Sequence, residues 1–270
     1  ILEVYMGQIA KIISNVYMSN RCKLMLANFL KDSICIKETW KSLKVHVGPL
    51  IQHFIYPLLC FTDEDEELWE FDPVEYVRKK IDNPFEDIKS PAKAAEELLS
   101  ELCKSRFKHT FMIIIQFINE ALTNYASLPD NQKQPRLKDG ALNMLCTIAT
   151  YTMKKKSPIK DQIDSLLKTF VLVDLKSPFG FLRARACNTL RQFGEADLKE
   201  DTVHAAFQGI LDLLQDKELP VRVTAALSLQ SFIFSPFIYE AIKPHVSNIM
   251  QAFLNISNEV DLDVLTEVME

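Results

Sequence analysis

Residues 182–193 read LRARACNTLRQF, and the same order of residue types occurs twice more in this chain. The pattern begins 45 residues earlier as LKDGALNMLCTI (137–148) and 39 residues later as VRVTAALSLQSF (221–232). Each copy has an apolar residue, a cation, an alanine three positions later and two further apolar residues. Spacings of three and four place the apolar members on one helical face, and the small alanine lets a neighbouring helix approach closely.

A period near forty residues with helical spacing is typical of HEAT repeats, which are antiparallel helix pairs that stack side by side. The sequence therefore predicts an all-α fold, a HEAT-repeat α-solenoid forming a right-handed superhelix of about six antiparallel helix pairs. Only six glycines in 270 residues argue against tight hairpins and glycine-rich phosphate loops. We predict helices at residues 1–18, 21–34, 43–60, 91–104, 107–126, 137–154, 159–172, 178–194, 202–215, 219–234, 238–256 and 260–270.

Composition and the chain ends add two expectations. Hydrophobic residues make up 48% of the chain and charged residues 25%, which is typical of a well-packed folded protein. No apolar run reaches about eighteen residues, so no membrane-spanning helix is predicted. Both ends lie in apolar-periodic sequence without a polar capping face, so we expect residues 1–270 to be the central segment of a longer solenoid.

The cysteines and histidines give no sign of a metal or redox site. No two cysteines are closer than thirteen residues and no CxxC pair occurs. We therefore expect reduced thiols packed in a helical core, as in a cytosolic or nuclear protein. The six are Cys22, Cys35, Cys60, Cys103, Cys146 and Cys187.

Enzyme signatures are missing from the sequence as well. It contains no GxxxxGK[ST], GxGxxG, GxSxG or HExxH motif, and its five histidines are dispersed. We predict no enzymatic activity, no cofactor and no metal. The net charge of −5 and the lack of a basic stripe argue against direct nucleic-acid binding.

Residues 62–90, called the acidic segment below, hold the strongest charge feature. They net −7, whereas the rest of the chain nets +2. This segment is either a solvated inserted loop or, because aromatic residues interleave the acids, an ordered segment docked on the helices. Such a patch would attract a basic partner in a salt-dependent way. The candidate binding residues are Asp63, Glu64, Asp65, Glu66, Glu67, Trp69 and Glu70.

The repeated cations form a second candidate group. Lys138, Arg183 and Arg222 each begin a predicted inner helix, on the side that is concave in HEAT pairs. One interpretation is structural: the cations pair with acids of the same or the next repeat, such as Asp216 near Arg222, and form a ladder. The alternative is direct contact with a bound partner.

Several blocks resemble the importin-beta family, with the branch of importins seven and eight the nearest. The resemblance is carried by FIYPLLC (54–60), DEELWE (65–70) and DPVEYVR (72–78). It extends from about residue 40 to the end of the chain in the family's order and spacing. Further matching blocks are KDGAL (138–142), RARAC (183–187) and LPVRV (219–223).

This resemblance implies a nuclear import receptor that carries protein cargo through nuclear pores and shuttles between cytoplasm and nucleus. The implied partners are nucleoporins, a basic cargo, and the GTPase Ran in its GTP form, which switches cargo release. Ran would bind mainly through amino-terminal repeats that this chain does not contain, and the acidic segment becomes a candidate site for cargo or Ran. The alternative is a static HEAT-repeat scaffold for a multiprotein complex, which explains the repeats but not the acidic block.

Overall fold

The computed structural model describes residues 4, 7–8, 10–11, 14, 16–82, 90–233 and 235–260, and every regular element among them is helical. The predicted helix 260–270, beyond Val260, and much of the predicted helix 1–18 lie outside the described residues. So do the acidic-segment residues 83–89. The chain divides into two compact units, Ile1–Cys60 with Phe85–Ile148, and Phe61–Pro84 with Ala149–Glu270.

Within residues 16–60 and 90–148, the first unit contains six helices. Short 3-10 and π turns, Lys44–His46 and Ile51–Ile55, join three of them (α2, Lys37–Leu43; α3, Val47–Leu50; α4, Tyr56–Leu59) into nearly continuous helix, where the sequence predicted one helix at 43–60. The helices are α1 (Asn20–Cys35), α2 (Lys37–Leu43), α3 (Val47–Leu50), α4 (Tyr56–Leu59), α7 (Pro91–Ser127) and α8 (Pro135–Thr147).

Helix α7 packs against α1 and is kinked at Arg106, whose backbone is not helical (φ −131°, ψ 27°). The two helices predicted at 91–104 and 107–126 are therefore one helix with a kink where the sequence placed the break. The guanidinium of Arg106 donates to the carbonyls of Ile34 (2.9 Å) and Cys35 (3.2 Å). It thereby satisfies carbonyl groups that the end of α1 leaves without intrahelical partners.

Helix α8 lies against α4 and α7. The Tyr56 hydroxyl donates to the backbone carbonyl of Leu137 (2.7 Å), and the Asn143 amide donates to the carbonyl of Leu59 (3.2 Å). The repeat pattern predicted a buried Leu137, but its side chain is 43% exposed. The next residue, Lys138, is turned inward instead, with its Nζ 4.9 Å from the centre of the Tyr125 ring.

Within the described residues 61–82, 149–233 and 235–260, the second unit contains nine helices. They are α5 (Asp63–Phe71), α6 (Pro73–Val77), α9 (Ala149–Thr152), α10 (Ile163–Leu166), α11 (Gly180–Gln192), α12 (Glu200–Leu213), α13 (Leu219–Ile233), α14 (Tyr239–Ile242) and α15 (Val246–Glu259). Shorter 3-10 or π turns are Arg78–Asp82, Lys160–Gln162, Leu167–Val171, Leu172–Lys176 and Lys243–His245.

The core of the second unit is the packing of α11 against α13. Both pattern alanines, Ala186 and Ala225, have no exposed surface. The Ser228 hydroxyl of α13 donates to the Cys187 carbonyl of α11 (2.9 Å), which requires the two backbones to run close together. Both alanines are therefore buried in helices that run close together, and their role as the points of closest approach stays a prediction.

The cysteine prediction is correct for some positions and wrong for others. Cys103 and Cys187 are buried, and none of the six cysteines, all of which lie in the described residues, forms a disulfide bond. Cys22 and Cys35 are exposed, because they lie in the first turn and at the last residue of α1 rather than on its buried face. Across the described residues, no helix has the length and apolar character needed to cross a membrane.

Replacing Ala186 by leucine tests the close packing of α11 and α13. The added side chain has no space between the helices, so the free energy of unfolding should fall by about 1–3 kcal/mol. Urea unfolding measures the loss. Ala205→Leu on the exposed side of α12 is the matched control and should change it by less than about 0.5 kcal/mol. Equal stability of the two variants would contradict the tight packing at Ala186.

Candidate interaction site

The described part of the acidic segment is helical, which corrects the prediction of an inserted loop at 62–90 and favours the ordered alternative. Helix α5 begins with a capping box: the Asp65 amide donates to Thr62 Oγ1 (3.1 Å), and the Thr62 amide donates to Asp65 Oδ2 (3.0 Å). The four acids of its first turn complement the positive end of the helix dipole. Helix α6 begins at Pro73, where the Asp72 carboxylate accepts the Glu75 amide (3.0 Å).

Aromatic rings dock these helices on the rest of the second unit. The Phe61 ring stacks on Phe181 at the start of α11, with 4.3 Å between centres and 8° between planes. Trp69 of α5 meets Tyr76 edge-on at 4.8 Å and lies 6.0 Å from Phe61. Val77 of α6 has no exposed surface, and α6 packs on α13. The expected docking of aromatics in this segment is confirmed for Trp69 and Tyr76 but is wrong for Phe71, whose side chain is 82% exposed.

One polar contact fixes Trp69. Its indole Nε1 donates to Glu218 Oε2 at 2.6 Å, and Arg183 Nη2 donates to Glu218 Oε1 at 3.0 Å. A Cβ atom at Gly180 would collide with this carboxylate, so the glycine leaves the space that Glu218 occupies. The carboxylate therefore joins α5 to α11.

Arg183 is the centre of a buried ion pair. Its Nε and Nη2 donate to the two carboxylate oxygens of Asp216 at 2.7 and 2.9 Å, and its Nη1 donates to the Ser177 carbonyl at 2.8 Å. The side chains of Arg183 and Asp216 are 9% and 8% exposed. Burial alone would lower the pKa of Arg183, but the hydrogen bonds and charges of Asp216 and Glu218 outweigh it and raise that pKa. The Arg183 guanidinium therefore stays charged in this buried position.

The next repeat copies this arrangement. Arg222 Nη1 donates to the carbonyl of Asp216 at 2.8 Å, again six residues earlier in the chain, and its Nη2 pairs with Glu259. Arg183, Asp216, Arg222 and Glu259 are called the arginine ladder below. The predicted Asp216–Arg222 ion pair is wrong, because the Asp216 carboxylate binds Arg183 and only its backbone carbonyl binds Arg222.

The acidic candidates divide into two groups by exposure. Asp65 is used within the segment: its carboxylate lies 3.0 Å from Lys80 Nζ and closes the cap at Thr62. Burial alone would raise the pKa of Asp65, but the Lys80 charge and the Thr62 hydrogen bonds outweigh it and lower that pKa. Glu66 and Trp69 are half-buried. The exposed candidates are Asp63, Glu64, Glu67 and Glu70.

Sequence reasoning missed Glu218, Gly180 and Phe181. Glu218 is one acid among 36, and nothing in its local pattern marks a partner 149 residues away. Gly180 offered a weak signal, because it is one of only six glycines and stands at the start of a repeated helix. Lys138, the remaining ladder candidate, lies in the first unit beside Tyr125.

Within the part of the chain that the structure describes, no group of three or more His, Cys, Asp or Glu side chains could hold a metal ion.

Comparison with known proteins places this arrangement in a family. The family model described as Cse1 matches residues 38–229, well over half of the chain. Human importin-8 is 37% identical over 257 residues, which cover 94% of this chain and 24% of importin-8. The chain belongs to the importin-beta family. Within that family it belongs to the importin-7/8 branch, as the sequence predicted.

Further relatives of this importin-beta chain come from plants and fungi. The importin beta-like SAD2 homolog of Arabidopsis thaliana is 31% identical over 275 residues, covering 100% of this chain and 26% of that protein. Nonsense-mediated mRNA decay protein 5 of Saccharomyces cerevisiae is 31% identical over 279 residues, with the same coverage of both chains. The chain spans about a quarter of the length of the curated relatives it matches.

A solved structure supports the fold of this importin-beta chain. The exportin Cse1 in its cargo-free, cytoplasmic state matches with a TM-score of 0.73 and 17% identity, covering 96% of this chain and 28% of Cse1. The predicted all-α HEAT-repeat fold is confirmed.

Truncating Trp69 to alanine tests the docking of α5. The change removes the ring contacts with Tyr76 and Phe61 and the hydrogen bond to Glu218, so we expect a loss of about 3 kcal/mol in unfolding free energy. Chemical denaturation measures it. Phe71→Ala, on the same helix but 82% exposed, is the control and should cost less than about 0.5 kcal/mol. A melting curve unchanged by Trp69→Ala would show that the ring makes no stabilising contact.

Proposed function

We propose that this chain is part of a nuclear import receptor that carries protein cargo, binds nucleoporins and shuttles between cytoplasm and nucleus. Its membership of the importin-beta family and its 37% identity to human importin-8 support the proposal. The HEAT-repeat fold suits such a receptor. Each helix pair contacts mainly its neighbours, so small changes at successive contacts add up to a large change in curvature. The receptor is not an enzyme, and cargo release follows Ran-GTP binding.

The acidic segment is proposed as the surface for a basic cargo. Asp63, Glu64, Glu67 and Glu70 project from a helix that is fixed at both ends, by the cap at Thr62 and by Trp69 on Glu218. A fixed helix loses less conformational entropy on binding than a mobile loop. Clustered carboxylates also speed the encounter with a basic partner at low salt.

Charge reversal at Glu67 and Glu70 tests that surface. Both side chains are exposed and lie outside the first turn of α5, so lysine there leaves the cap and the fold intact. The Kd for an octalysine peptide at low salt should rise by about tenfold, and the difference should shrink as salt is added. Glu195→Lys with Asp197→Lys changes the net charge equally at another exposed place in the second unit and serves as the control. Similar affinities for both double variants would rule out the acidic segment as the basic-cargo surface.

The response to Ran-GTP tests the transport proposal against a static scaffold. Cargo bound to the native full-length receptor should be released when Ran-GTP is added and retained when Ran-GDP is added. The reason is that import requires cargo to be freed in the compartment rich in Ran-GTP. Pull-down with each nucleotide form measures the retained fraction. Binding that is indifferent to both forms would reject the receptor and favour the scaffold.

A further inference from the structure

We propose that Glu218 is a positioning residue that couples the acidic segment to the arginine ladder. Its two carboxylate oxygens serve different elements: Oε2 accepts the Trp69 indole of α5, and Oε1 accepts Arg183 Nη2 of α11. The inference deepens the proposed function and rests on it in one respect, that the acidic segment binds a basic ligand. Seating of the segment and alignment of the ladder then stabilise each other.

The surroundings of Glu218 give its carboxylate little freedom. Its backbone amide donates to Asp216 Oδ1 at 2.9 Å, so the residue that pairs with Arg183 also fixes the Glu218 main chain. The missing side chain of Gly180 leaves only the space that the carboxylate fills. A shift of Asp216 relative to Arg183 would therefore move Glu218, and with it the hydrogen bond to Trp69.

Trp69 and Arg183 themselves do not share a hydrogen bond, since the partners of Arg183 are Asp216, Glu218 and the Ser177 carbonyl. The Glu218 carboxylate is therefore the hydrogen-bonded connection between the Arg183 guanidinium and α5. Arg222 provides the matched comparison. Its guanidinium has the same carbonyl contact six residues back and a carboxylate partner, but that partner is Glu259, and only the Arg222 backbone amide contacts Glu218, at its carbonyl.

Ligand binding and segment seating are then linked quantities. If the exposed acids bind a basic ligand only in the seated position of α5, the apparent affinity scales with the seated fraction. Loosening the Glu218 contact lowers that fraction without altering the charge of the acidic segment. The affinity should fall while its dependence on salt stays the same.

Hydrogen exchange of the α5 amides in the full chain tests the coupling. Trp69→Phe removes the indole N–H that donates to Glu218. Arg183→Lys removes the planar guanidinium that bonds to both Asp216 and Glu218, and both changes keep the net charge. Each should speed α5 exchange by about tenfold, the factor expected from losing a hydrogen bond to a charged group. The Trp69→Phe/Arg183→Lys double variant should exchange no faster than Trp69→Phe alone, since both changes cut one connection. Arg222→Lys, the control, should leave α5 exchange unchanged.

Two results would overturn the proposal. The first is that the α5 amides of Arg183→Lys exchange at the wild-type rate. The second is that Arg222→Lys speeds exchange of the α5 amides as much as Arg183→Lys does. If both arginine variants prove too unstable to measure, Gly180→Ala replaces them, because its methyl group displaces the Glu218 carboxylate and must accelerate α5 exchange for the coupling to stand.

Octalysine binding separates this inference from the proposed function. Trp69→Phe and Arg183→Lys should weaken octalysine binding by a similar factor, about threefold to tenfold, with the salt dependence of the wild type. A wild-type chain that does not bind octalysine would refute the basic-cargo surface, while the exchange results would still decide the coupling. Normal octalysine affinity in both variants, together with fast α5 exchange, would overturn the linkage between seating and binding.

Discussion

The second unit depends on how closely α11 and α13 can approach. Neither helix can bury its apolar face alone. The small, fully buried Ala186 and Ala225 let each helix pack against the apolar face of the other. The distance set by these small residues also fixes where the first turn of each helix lies relative to the next repeat. Arg183 stands in that first turn, which places its guanidinium within reach of Asp216.

The arginine ladder contributes alignment more than stability. Taking Arg183 and Asp216 out of water has a large desolvation cost, and two parallel hydrogen bonds recover it only while their geometry is kept. A buried pair of this kind tolerates little sliding between neighbouring helices. The carbonyl contacts that both arginines make six residues back hold each guanidinium at its own helix start, so α11 and α13 present their arginines in the same way.

The sequence was sufficient for features that depend on local pattern. Helical spacing and the repeated alanine predicted the fold, and the interleaved aromatics indicated a docked acidic segment. The predicted break between helices 91–104 and 107–126 falls at the kink of α7 at Arg106, although the two predicted helices are one. Features that depend on depth or distance were not predictable. Periodicity predicts which face of a helix is buried, but not which of two adjacent residues at its edge is the more buried. The pattern therefore placed Leu137 on the buried face, whereas the structure buries Lys138 and leaves Leu137 exposed. The Trp69–Glu218 contact joins residues 149 positions apart and leaves no trace in either local pattern.

The arginine ladder gives this fold a dependence on temperature that apolar packing alone would not have. Hydration of charged groups becomes less favourable as water warms, so the cost of keeping Arg183 and Asp216 away from solvent declines. Apolar contacts such as those around Ala186 gain little further strength over the same range. On heating, the charged pairs at the helix ends therefore retain the register between neighbouring helices, while the stabilisation from apolar packing in the core levels off.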